Sequence, residues 1–163
     1  MKALLFLVIG YLGLVVESTL WFNWTNGYLH IDLAPALINW YVLNAGPGRR
    51  LLSVTIFALM SSFFSILPFM AFLLAYVLAM WLVEYMRWNM LEMSRLHMHL
   101  FTFIASMEIE VLLLLWSGRL ELFWPYGMVQ SMSNLVLSPI VFSTMDGLAS
   151  IGRVILGKEE DEG

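Results

Sequence analysis

Residues 51–83 read LLSVTIFALMSSFFSILPFMAFLLAYVLAMWLV, a stretch without one charged side chain. As a single helix these 33 residues would be about 50 Å long, far more than a hydrocarbon core of about 30 Å requires. Pro68 cannot donate to a helix ladder and Ser65 tolerates a turn, so the stretch predicts two antiparallel helices, 51–67 and 69–86, that meet at the proline.

Similar apolar runs flank it at 3–22, 29–45, 98–116 and 126–145, followed by an amphipathic helix over 147–157, suited to the inner membrane surface or equally to packing on the bundle, and an acidic, disordered tail at 158–163. The composition explains why. Of 163 residues, 61% are hydrophobic and 12% charged, against about 25% charged in a soluble domain. The mean hydropathy is +0.82, more apolar surface than a soluble fold of this size can bury. The run from Ala3 to Leu14 continues through Val15, Val16, Leu20, Trp21 and Phe22 with no small-residue cleavage site, so it reads as a first span, not a signal peptide. Residues 1–157 form one membrane domain with no room for a soluble catalytic module. The chain has no cysteine, which removes disulfides, thiolate nucleophiles and thiolate metal sites. The formal charge of −4 is carried by Glu159, Glu160, Asp161 and Glu162; the remainder is neutral.

Lys and Arg decide the topology. With a hairpin at Pro68 the chain crosses six times, and Lys2, Arg49, Arg50, Arg87, Arg95, Arg153 and Lys158 share one side while Arg119 alone lies opposite. With one uninterrupted span they divide evenly. Cytoplasmic loops are enriched in Lys and Arg, so six spans with both termini in the cytoplasm are expected. Trp21, Trp24, Trp116 and Trp124 then fall near the outer interface and Trp81 and Trp88 near the inner one, whereas Trp40 is expected to pack between helices.

Charged side chains inside spans are costly, which singles out Glu17, Glu84, Glu108 and Glu110. Glu84 belongs near the inner interface. Glu108 and Glu110, two residues apart, point to nearly opposite sides of a helix and cannot form an acid/base pair. They are expected to hold helices together or to meet a partner subunit, with a proton path as the competing reading. His97 and His99 diverge for the same reason and predict no metal site. Asp146-Gly147-Leu148-Ala149 lacks the further aspartates that a lipid-synthesising transferase needs around its metal ions. No phosphate loop or nucleophile triad is present, so neither catalysis, cofactor, metal nor nucleic-acid binding is expected.

Five stretches carry a family resemblance: Val16-Glu17-Ser18-Thr19-Leu20; Ile31-Asp32-Leu33-Ala34-Pro35-Ala36-Leu37 with Trp40-Tyr41-Val42-Leu43; the turn Gly46-Pro47-Gly48; Ala58 to Pro68 with the apolar run that follows; and Ser133-Asn134-Leu135-Val136-Leu137-Ser138-Pro139-Ile140-Val141-Phe142. In these the chain resembles the bacterial rod shape-determining protein MreD family along most of its length. Ala58 and Ser62 stand where that family has Gly and Asp. The resemblance implies a non-catalytic scaffold of the cell-elongation, peptidoglycan-synthesising complex in the bacterial inner membrane. Its implied partners are an MreC-like membrane protein, the RodA glycosyltransferase and a penicillin-binding transpeptidase. It also implies a six-helix bundle similar to the substrate-binding subunits of energy-coupling-factor vitamin transporters, so a vitamin-binding subunit is the rival reading, with its polar groups sought in outer-loop residues such as Asn23, Asn26, His30 and Arg119. The residues expected at helix or partner contacts are Ala58 with Ser62 and Ser61 with Ser65, as small-xxx-small pairs, together with Glu108, Glu110, Asn134 and Pro139.

Overall fold

The computed structural model describes residues 2–21, 32–90, 94–124 and 126–156, with the side chains of residues 20, 21 and 153–156 outside that description. Among the described residues there are six α-helices and no strand: α1 (Lys2–Val16), extended by a π-helical turn (Glu17–Trp21), α2 (Ala34–Asn44), α3 (Pro47–Phe63), α4 (Phe69–Asn89), α5 (Arg95–Ser117) and α6 (Tyr126–Leu156). Four stretches, Lys2–Thr19, Phe69–Asn89, Arg95–Ser117 and Tyr126–Gly152, are long and apolar enough to cross a membrane.

The uncharged run does fold back at its proline. α3 ends at Phe63, and Pro68, with φ −70° and ψ 154°, sits immediately before α4. Between them Ser65 Oγ accepts from the amide of Leu67 (3.1 Å) and Phe64 N donates to Ser61 O, which satisfies backbone groups that an apolar turn would otherwise leave bare. Ser65 thus lies beyond the end of α3 and closes the turn, so it does not form a helical small-xxx-small pair with Ser61. The two helices run antiparallel. Arg50 pairs with Glu84 at one end of the hairpin (2.5 Å), and Tyr76 donates to Ser61 near the other (3.1 Å).

α2 departs most from expectation. The region 29–45 read as a span, yet its helix has 11 residues and is about 16 Å long. Residues 22–31 lie outside the described residues. Ala34 through Val42 are all buried, because α2 is packed against each of the other five helices. A helix so enclosed need not reach across the lipid, since protein satisfies its surroundings. Pro35 lies in its first turn and Asp32 Oδ1 accepts from Ala34 N (2.8 Å), so the start is fixed locally. Arg50 Nε and Nη2 both donate to Ala45 O just past its end, and Asn44 O accepts from Lys2 Nζ.

α6 departs in the opposite sense. The helix expected separately at 147–157 is continuous with the span, and α6 runs 31 residues through Pro139. Proline removes the donor for the carbonyl of Leu135, and Ser138 Oγ supplies one (2.9 Å). The expected tail at 158–163 lies outside the described residues.

An aromatic stack joins the helices at the centre. Phe6 stacks on Tyr41 (4.5 Å between centroids) and meets Phe57 edge-on (5.1 Å), and Phe57 stacks on Tyr76 (5.5 Å). α1 approaches this closely because Gly10 has no Cβ; one placed there would lie 2.6 Å from Phe57 Cε2.

Candidate functional site

Contacts at the two ends of the bundle show that successive helices alternate in direction. One end gathers the starts of α1, α3 and α5 with the ends of α2, α4 and α6, through Lys2 to Asn44, Arg50 to Glu84, Asn39 to Met98 O (2.7 Å) and Trp40 Nε1 to Asp146 Oδ1 (2.7 Å). Trp40 is buried between helices, as expected, and Asp146 serves as its acceptor.

At the opposite end the helices enclose a cavity of about 540 Å³. Its polar wall comes from the ends of all the helices: Glu17 and Ser18 after α1, Asp32 before α2, Ser61 on α3, Tyr76 on α4, Glu110 on α5 and Gln130 on α6. Ser65 lines it from the α3–α4 turn, and Leu14, Phe64, Leu67, Phe72 and Leu113 form the apolar remainder. No described lining residue is Lys, Arg or His. Tyr76, 2% exposed, lines the same cavity as Asp32, Glu17 and Glu110. Among the described residues, no three His, Cys, Asp or Glu side chains come close enough to share a metal ion. The carboxylates therefore line separate walls.

Below the cavity a polar seam follows α5 and α6. Asn134 Nδ2 donates to Ser106 Oγ (2.7 Å), one turn beneath Gln130 and Glu110. A turn further, Ser138 Oγ meets His99 Nδ1 (2.9 Å). The same Ser138 Oγ lies 2.9 Å from Leu135 O. On the α2 side Asn39 Nδ2 donates to Thr102 Oγ1 (2.7 Å). Asn39 Oδ1 and Asn134 Oδ1, both buried, find no donor among the described residues.

The residues singled out from sequence are scattered over this architecture. Glu108 and Glu110 diverge as their spacing required: Glu110 lines the cavity, whereas both oxygens of Glu108 are buried with no hydrogen-bond partner among the described residues. His97 and His99 diverge too, His97 Nδ1 accepting from Ser94 N in a capping box and His99 reaching Ser138. Ala58 and Ser61 are buried inside the chain and Ser62 bonds back to Leu59 O, so the close approach of Ala58 and Ser61 is to this chain's own helices. Asn134 is buried in the seam, and Pro139 is exposed on the outer face of α6. Of the outer-loop residues, Asn23, Asn26 and His30 lie outside the described residues. Sequence reading missed Ser61, Tyr76, Asp32 and Gln130 as one polar wall; the only available signal was that each stands within a few residues of the same end of its helix. Comparison with protein-family models, with curated proteins and with solved structures returns no match.

Proposed function

We propose that this chain is a non-catalytic scaffold of the bacterial cell-elongation machinery, a six-crossing inner-membrane subunit with both termini in the cytoplasm that binds an MreC-like membrane protein beside the RodA glycosyltransferase and a penicillin-binding transpeptidase. One observation carries the reading: five polar side-chain pairs tie the helices to one another. Asn39 with Thr102, Asn134 with Ser106, His99 with Ser138, Trp40 with Asp146 and Arg50 with Glu84 each bind one helix to another. Such bonds specify how helices assemble in lipid. The alternation of six helices supports six crossings, with α2 crossing inside a protein sheath instead of in contact with lipid.

The apolar surface that remains is a lipid- or helix-facing one. On α3, Leu52, Ile56, Leu59 and Phe63 are exposed at the three- and four-residue spacing of one helix face, a stripe suited to a partner's membrane helix. The second reading, a small-molecule-binding subunit of the energy-coupling-factor type, is favoured by the cavity at the end away from the termini.

Purification of the tagged full chain from its native membrane in mild detergent separates the two. The scaffold account expects an MreC-like protein to co-purify and Leu59→Arg to remove it. Retention of a small water-soluble vitamin without such a partner would reject it.

A further inference from the structure

Buried side chains in a membrane bundle must meet their hydrogen-bonding needs inside the protein, because hydrocarbon offers neither donors nor acceptors. Two asparagines on either side of α5 do so only in part. Asn39 of α2 and Asn134 of α6 are 0% and 1% exposed, and the Oδ1 of each has no donor among the described residues. Both lean on buried hydroxyls of α5, Asn39 on Thr102 and Asn134 on Ser106 (2.7 Å each). Thr102 and Ser106 stand one above the other on a single face of that helix, about 6 Å apart. Counted from Arg95 they lie about 10 and 17 Å along α5, at the depth of the hydrocarbon layer.

What each end of this seam still needs can be counted. Asn39 Nδ2 spends both hydrogens, on Thr102 Oγ1 and on Met98 O (2.7 Å each). Turning that amide over would set its oxygen against the carbonyl, so Oδ1 keeps its place as an acceptor. Thr102 gives its own hydrogen to Met98 O (3.3 Å), which leaves Oγ1 able only to accept. The Asn39 end thus offers two acceptors to a donor. At the other end Asn134 Oδ1 also needs a hydrogen, while the hydroxyl hydrogen of Ser106 finds no acceptor among the described residues. Turning the Asn134 amide over would only leave its Nδ2 without an acceptor instead.

We propose that two water molecules, hydrogen-bonded to each other, bind in this seam and join α2 to α6 across α5. The first donates to Asn39 Oδ1 and Thr102 Oγ1 and accepts from the second. The second donates to the first and to Asn134 Oδ1 and accepts from Ser106. Each then makes about three hydrogen bonds, the usual number for buried water, and both asparagine oxygens and the Ser106 hydrogen are met. A pair linked at about 2.8 Å fits beside two hydroxyls about 6 Å apart. An ammonium or metal cation matches the seam less well, because the Ser106 hydrogen calls for a ligand that accepts as well as donates. Glu108, two residues beyond Ser106, faces another side of α5 and takes no part. The inference rests on the seam alone and not on the scaffold reading.

The test is water-edited solid-state NMR on the full chain in lipid bilayers, which follows magnetisation passing from water to individual protein hydrogens. The side-chain amides of Asn39 and Asn134 should gain signal several-fold faster than the backbone amides of Phe57 and Ala58, which are as deeply buried (1% and 0%) but lie on α3, away from the seam. A gain at either asparagine as slow as at Ala58 would overturn the proposal. Asn134→Leu replaces the polar end with an apolar side chain, so the gain at Asn39 should slow several-fold as well; an unchanged rate there would refute the linked pair. Should that variant not fold, Thr102→Val asks the same from the other end with a side chain of the same shape. It should slow the gain at Asn134, and an unchanged rate would refute the pair equally.

Discussion

Ser138 has two tasks that an apolar residue cannot perform: it gives a proton to the carbonyl that Pro139 deprives of its helical donor, and its oxygen hydrogen-bonds His99 Nδ1. Ser138→Ala should therefore lower stability by about 1–3 kcal/mol, the usual cost of leaving buried partners unmet. Adding Pro139→Ala restores a backbone donor to Leu135, so the double variant should recover part of that loss when unfolding is followed in mild detergent. No recovery would mean that the carbonyl is not the source of the cost. Gly10 is tested by size alone. A Cβ 2.6 Å from Phe57 cannot be relieved cheaply, because Phe57 is 1% exposed and held between Phe6 and Tyr76. Gly10→Ala should cost about 1–3 kcal/mol, with most of it returned by Phe57→Leu; a neutral Gly10→Ala would show that α1 can move outward freely. At this scale the divergence of Glu108 from Glu110 was legible because a helix places i and i+2 on different sides whatever surrounds it. The role of Ser65 was not, because it depends on α3 stopping at Phe63, two residues before it, and no charge, Gly or Pro marks that boundary.

The α3–α4 hairpin rests on Arg50, which binds two elements at once: its guanidinium pairs with Glu84 on α4 and donates to Ala45 O after α2. Its side chain is 9% exposed and that of Glu84 26%, so the arginine is the more costly partner to strip of its contacts. Arg50→Ala should destabilise by about 3–5 kcal/mol, the range for breaking a buried pair, and Glu84→Gln by less, since Arg50 keeps Ala45 O. Arg50→Lys should rescue little, because one ammonium cannot reach both acceptors with the geometry of a planar fork. Equal stability of Arg50→Lys and the parent chain would refute the two-element role. The hairpin was legible since proline and the lack of charge act locally. The extent of α2 and α6 was not. α2 is as apolar as a span but sheathed by its neighbours, so its hydropathy carries no information about its length. A helix past Asp146 was legible, but its continuity with the span was not, since that rests on Met145 and Ala149 being buried against the bundle.

For the molecule as a whole, the alternation of six helices makes a prediction about sides. The ends that carry Lys2, Arg50 and Glu84 lie together, and the cavity lies towards the other end, where Ser117 closes α5 and Leu120 follows it. The uneven placement of Lys and Arg along the sequence is the reason to expect the first of these ends at the cytoplasm. The cavity was hidden for the complementary reason: each helix contributes one or two side chains to it, separated by up to a hundred residues, so no motif exists to be read. Absence of native cysteine makes the topology directly measurable. Gly48→Cys, where a side chain meets open space, and Asn89→Cys should react with a membrane-impermeant maleimide only after cells are permeabilised, whereas Ser117→Cys and Leu120→Cys should react on intact cells. Labelling of Gly48→Cys and Ser117→Cys from the same face would remove the sixfold crossing.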